Sequence, residues 1–119
     1  MDPVPAELPG PLLEALQRSN RTLDLEKIGA AYRFAVDAHG SQLRKSGEPY
    51  VTHLTAVATI LADLLGSGID NTLIEGALLH DVVEDTTVTL QQVERRFGRD
   101  VAALVDGVTK IGHLHFERP

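Results

Sequence analysis

The residues best equipped for chemistry crowd into one stretch, His80-Asp81-Val82-Val83-Glu84-Asp85. One imidazole and three carboxylates there offer ligands for a divalent cation and groups for moving a proton. If the stretch is helical, residues four apart share a face, so His80 sits above Glu84 and Asp81 above Asp85. His80 and Asp81 diverge by only about 100° around the axis, close enough to reach one ion together. The preceding Ala77-Leu78-Leu79 is wholly apolar. The His-Asp pair is therefore expected to be partly buried, where an unpaired carboxylate is costly. An isolated His-Asp pair would read as a hydrogen-bonded helix cap. The second carboxylate pair one turn later weighs against that, because like charges at this density are best tolerated around a cation.

His53 is the third candidate ligand. It follows the Gly- and Pro-containing segment Arg44-Lys45-Ser46-Gly47-Glu48-Pro49-Tyr50 and falls at a loop–helix junction, where functional groups concentrate. Taken alone, it would pass for an ordinary surface or core histidine. His39 ends an apolar stripe and reads as a structural or supporting histidine. His113 and His115 lie near the C-terminus and are assigned no role. Of two basic clusters, Arg95-Arg96 with Arg99 reads as a solvated face, while Arg44-Lys45 occupies the loop and suits phosphate binding.

The elements that must position these groups are helical. Residues 1–10 read as a loose arm, and Pro11 to Asn20 as a small helix carrying Leu12, Leu13 and Leu16. From Leu23 to about Ser41, Leu25, Ile28, Tyr32, Ala35 and Val36 fall at helical spacing. Gln42 to Tyr50 is a loop. Thr52 is the expected N-cap of a helix burying Leu54, Val57, Ala58, Leu61, Leu64 and Leu65, and ending at Gly66 and Gly68. Asp70 caps the helix that runs into His80–Asp85. Thr89 and Gln92 form a capping-box pattern for a helix ending near Gly98, and Asp100 opens the last one. Sustained strand alternation is absent from the sequence, so the class is all-α.

Composition narrows the chemistry. The 119 residues make one domain, with 43% hydrophobic and 24% charged residues. Aromatics are 4% and tryptophan is absent, so the core is aliphatic. Without cysteine, disulfides and thiolate sites are excluded, and a metal must be held by histidine and carboxylate. A net charge of −6 argues against broad nucleic-acid binding. The acidic, Pro-rich start lacks the plan of a signal peptide. No stretch is expected to reach the roughly 18 apolar residues of a membrane span. The expectation is a cytoplasmic protein that binds no membrane.

Four blocks in order carry a resemblance. Gln42-Leu43-Arg44-Lys45-Ser46-Gly47-Glu48-Pro49-Tyr50 followed by His53, then His80-Asp81-Val82-Val83-Glu84-Asp85-Thr86, then Phe97-Gly98, then Asp106-Gly107-Val108-Thr109-Lys110 resemble the hydrolase domain of the RelA/SpoT family. The likeness runs over roughly residues 24–112. It implies an HD-domain helical bundle of about five to six helices. It further implies a manganese-dependent enzyme that removes pyrophosphate from the 3′ position of guanosine tetra- and pentaphosphate. By the matching positions, His53, His80 and Asp81 are metal ligands, Glu84 and Asp85 are catalytic carboxylates, and Arg44, Lys45 and Ser46 contact the nucleotide. Leu54 stands where the family usually has proline. Family domains continue further and carry another metal-ligating aspartate and a nearby asparagine. Residues 1–20 are thus read as an arm with a short helix, and 21–119 as a hydrolase domain truncated at its C-terminus and prone to self-association. The competing reading is a catalytically incomplete regulatory or interaction fragment of a bifunctional synthetase–hydrolase.

Overall fold

The computed structural model describes residues 8–117, with side-chain surroundings described as far as Lys110. The side chains of His113 and His115, and the first seven residues of the expected arm, lie outside the described residues. Helices α1 (Gly10–Ser19), α2 (Leu25–His39), α3 (Tyr50–Leu65), α4 (Asn71–Asp85), α5 (Leu90–Phe97) and α6 (Arg99–Glu117) follow in order, with a short 3₁₀ turn at Gly66–Gly68. Among the described residues there is no strand, only an isolated bridge between Leu43 and Pro49. The class is all-α.

Helix α4 is the centre, packed by α2, α3 and α6, while α1 lies on α3 and α5 on α6. Its sequence explains the placement. Ile74, Leu78 and Val82 form one buried ridge, and buried Leu79, Glu75 and Gly76 carry the covered arc past half of the circumference, as expected of a helix packed on several sides. Asp70 starts it, accepting a hydrogen bond from the Leu73 amide at 2.9 Å. Gly76 faces α6 so closely that an added Cβ would lie 2.6 Å from Leu104 Cδ2. The core is indeed aliphatic: Leu12, Leu16, Ile28, Leu54, Val93 and Val105 complete it.

Several expectations need correction. Helix α3 begins at Tyr50, with Pro49 rather than Thr52 at its N-cap. Pro49 has φ of −61°, already suited to helix entry, and lies in the bridge to Leu43 that turns the chain. The buried face of α3 is Leu54, Ala58 and Ala62, whereas Leu64 and Leu65 are exposed. Gly66, at φ 52°, turns the chain away beneath them before they meet a neighbour. Leu8, assigned to the loose arm, is buried against the core. Helix α3 with its 3₁₀ extension, Tyr50–Gly68, also has the length and mean hydropathy of 1.3 that a membrane span would need. The sequence reading missed this because its apolar residues are interspersed with Thr52, His53, Thr55, Thr59 and Asp63. On α2, Ala31 and Ala35 are buried together with Ile28, whereas Tyr32 and Val36 are only partly covered.

One buried charge ties the N-terminal half of α4 to α2. Glu75 is 4% exposed, and its Oε2 accepts a hydrogen bond from Asn71 Nδ2 at 3.0 Å. Asn71 also donates to the Asp24 carbonyl, and its own Oδ1 accepts from the Asp24 amide. Burial raises the Glu75 pKa above the ordinary carboxyl value, with the Asn71 bond and Lys27 opposing it. A raised folded-state pKa means that the folded chain binds this proton more readily than the unfolded chain. The associated stability is present below about 4.5 and is lost as pH rises through the raised value. Glu75→Gln keeps an acceptor for Asn71 and removes the titration. Thermal melts from pH 4.5 to 7.5 should show the variant gaining on the parent as pH rises; an equal or growing deficit would contradict this account.

Candidate metal centre

His80 and Asp81 sit a little over one turn before the end of α4, and His53 is the fourth residue of α3. The α3–α4 contact brings the three together although 27 positions separate the histidines. His53 Nε2 lies 3.5 Å from Asp81 Oδ2, and His80 Nε2 lies 3.3 Å from Asp81 Oδ1. The imidazole centroids are 6.0 Å apart. One donor atom from each residue falls within 4.8 Å of the other two, and all three residues are half-buried. Both nitrogen–oxygen distances exceed the about 2.7–2.9 Å of a charge-assisted hydrogen bond. The His80 distance lies within the spacing of about 3.0–3.4 Å between neighbouring ligands on an ion with bonds near 2.1 Å, and the His53 distance just beyond it.

The local backbone selects the donor atoms. His80 Nδ1 lies 2.6 Å from the Ala77 carbonyl oxygen, which can only accept, so the proton is on Nδ1. Nε2 then carries a lone pair on the Asp81 side, and metal-bound histidines commonly donate their other ring N–H to a carbonyl in this way. Burial first, and then the Arg44 guanidinium, hold the His53 pKa below its ordinary value, against the pull of Asp81. His53 therefore stays neutral, and able to ligate, to lower pH than a free histidine. A set of two imidazoles and a carboxylate suits a borderline divalent cation. These residues fit the metal that the fold implies.

Glu84 and Asp85 are exposed in the last turn of α4, since the helix persists to Asp85. The i, i+4 pairing read from the sequence therefore applies, setting both carboxylates one turn beyond the triad. Arg44, Lys45 and Ser46 occupy the loop between α2 and α3, closed by bonds from the Arg44 amide to the Glu48 carbonyl and from the Gly47 amide to the Arg44 carbonyl, each 2.8 Å. Gly47, at φ 92°, occupies the left-handed backbone that this turn requires. Ser46 Oγ accepts from the Glu48 amide at 3.4 Å, and Arg44 Nη1 stands 3.8 Å from Glu48 Oε1. Arg44 is thus placed electrostatically near His53 and Tyr50. His39 is buried, with Nδ1 3.1 Å from Gln42 Oε1.

Tyr50 and Gln42 stand at the two ends of the first motif block, and both contact Asp85. No periodicity signals this, because they reach it across 35 and 43 positions. Arg96 likewise does more than face water: its guanidinium lies over Phe34 and Phe97, at 5.5 and 5.6 Å from the ring centroids.

Comparison with known proteins gives this geometry a context. Residues 31–118 match the model of the HD domain. The chain is 50% identical over 92 residues to the guanosine-3′,5′-bis(diphosphate) 3′-pyrophosphohydrolase of Aquifex aeolicus, covering 77% of this chain and 13% of that protein. It is 49% identical to the bifunctional (p)ppGpp synthase/hydrolase SpoT of Escherichia coli, over the same shares. With the probable enzyme of Synechocystis it shares 43% identity over 92% of this chain and 15% of the relative. The chain thus spans about one seventh of the length of these relatives. A solved metazoan SpoT ortholog, described as hydrolysing ppGpp, superposes with a TM-score of 0.60 at 39% identity, covering 67% of this chain and 46% of that one. Sequence, fold and the convergent His53, His80 and Asp81 agree that this chain belongs to the HD domain family, where it is similar to alarmone hydrolases of the RelA/SpoT type.

Proposed function

We propose that residues 21–119 form a metal-dependent hydrolase module that removes the 3′-pyrophosphate of guanosine tetra- and pentaphosphate, with α1 as a buttress on α3. The carrying observation is the convergence of His53, His80 and Asp81, with Glu84 and Asp85 one turn beyond. The names of the similar proteins support the substrate. In this reading the three residues hold a divalent cation, manganese, in a cytoplasmic protein. Bound there, the ion supplies Lewis acidity toward a phosphoryl oxygen and makes water more acidic.

The rest falls to the chain's own side chains. His53 stays neutral and presents Nε2, His80 presents Nε2 with its Nδ1 turned to the Ala77 carbonyl, and Asp81 lies between them and contributes the negative charge. Glu84 and Asp85 orient the attacking water and accept its proton. Arg44 forks onto phosphate or stacks on the base, and Lys45 adds a point charge. Ser46 offers its hydroxyl to the same polyanion. These local cations offset the repulsion that a chain of net charge −6 exerts on such a substrate.

Three expected outcomes test this reading. Calorimetric titration with manganese at pH 7.5 should give one site, weakened roughly tenfold or more by His80→Ala or Asp81→Ala, since even supporting residues of metal sites cost that much. Unchanged affinity would remove the triad from the metal. Glu84→Ala and Asp85→Ala should lower turnover of guanosine tetraphosphate by about 10²–10⁴-fold while changing manganese affinity much less. A chain that binds manganese but hydrolyses no guanosine tetraphosphate would favour the regulatory reading instead. The exposed Ile60, Leu64, Leu65 and Val108 support self-association. Sedimentation should then show concentration-dependent association, weakened by Leu64→Glu.

A further inference from the structure

Asp85, the last residue of α4, is held from two directions by the loop between α2 and α3. Its Oδ2 accepts the Tyr50 hydroxyl at 2.9 Å, and its backbone carbonyl accepts Gln42 Nε2 at 3.0 Å. Gln42 and Tyr50 are the two ends of that loop. The Tyr50 amide reaches the Gln42 carbonyl at 3.5 Å, and the bridge between Leu43 and Pro49 lies just above. Everything between, including Arg44, Lys45 and Ser46, hangs from this base.

His39 stiffens the base from beneath. Its ring stacks on Tyr50 with centroids 4.4 Å apart and planes 8° from parallel. Because the Gln42 amide nitrogen donates to Asp85, the amide oxygen faces His39 and accepts from Nδ1–H. Buried His39 Nε2 meets no hydrogen-bond partner among the described residues, so Gln42 and the Tyr50 ring are what fix the ring. An aspartate at an exposed helix end would otherwise sample several rotamers. Here one carboxylate oxygen is pinned, and Oδ1 remains for a second partner.

We propose that Tyr50 and Gln42 are positioning residues that clamp Asp85 and tie its orientation to the seating of the Arg44–Ser46 loop. The proposal rests on the reading that Asp85 handles the proton of the attacking water. A polyanion that draws Arg44 and Lys45 inward loads the loop, and the same two residues carry that load to the carboxylate. Binding and proton transfer are thereby linked through two hydrogen bonds.

Two measurements on the 119-residue chain test the clamp, one of them without substrate. Tyr50→Phe retains the stack on His39 and deletes only the hydroxyl. In hydrogen exchange, the amides of residues 43–48 should exchange at least about threefold faster in both Tyr50→Phe and Asp85→Ala, with Thr87→Ala unchanged. Loop exchange that matches the parent in both variants would overturn the proposal. In turnover of guanosine tetraphosphate, Tyr50→Phe should lower kcat about tenfold or more with KM within about twofold. In an Asp85→Asn background the same substitution should cost less than about twofold. A full tenfold loss in that background would show that Tyr50 does not act through Asp85, and would also overturn it. If the parent chain hydrolyses nothing, the hydrolase reading fails, and the exchange measurement still decides the clamp.

Discussion

Burial of α4 among α2, α3 and α6 sets the position of every chemical group in this protein. A helix that buries Glu75 and Gly76 as well as Ile74, Leu78, Leu79 and Val82, more than half of its circumference, has to be covered on several sides. Once it is covered, only its ends reach solvent. The C-terminal end carries His80, Asp81, Glu84 and Asp85, and the covering helix α3 delivers His53 to the same place. Full burial of a leucine or valine contributes about 1.5–3 kcal/mol, so the core can hold polar groups where they would not gather unaided.

Those polar groups oppose the helix that carries them. The C-terminus of a helix bears partial negative charge, and each carboxylate there costs about 0.3–1 kcal/mol. Asp81, Glu84 and Asp85 all lie in the last two turns of α4. An ordinary stabilising sequence would place lysine or arginine there, and this one has none in the last turn. A bound divalent cation reverses the sign of the local field and makes the arrangement favourable. Local rules broken without an evident structural return mark functional sites.

The loop from Gln42 to Tyr50 is the second half of the arrangement. It brings Arg44 close enough to add to the burial that lowers the His53 pKa, and it fastens to Asp85 at both ends. Cation, carboxylate and imidazole therefore share one electrostatic environment although they come from three separate segments. At the opposite end of α4, Glu75 and Asn71 lock α2 onto the bundle, so the helix is fixed at both ends by polar contacts and along its length by apolar ones.

Local chemistry was legible in the sequence. Asp70 and the Thr89–Gln92 pair cap helices as their types demand, Gly98 ends α5, and the helical spacing of apolar residues gave the all-α class. Adjacent His80 and Asp81, one turn before Glu84 and Asp85, follow from helical geometry alone once α4 is known to reach Asp85. What depends on contacts between distant segments was not legible. Whether Leu64 and Leu65 are buried is decided by where the chain turns at Gly66, not by their hydrophobicity. Glu75 reads as a surface residue until α2 closes over it. Tyr50 and Gln42 meet Asp85 only because α2, α3 and α4 converge at one end, and side chains dozens of residues apart leave no periodic trace of that meeting. Sequence by itself determined which groups could do chemistry and which helices carry them; tertiary packing alone decided which of them share one point in space.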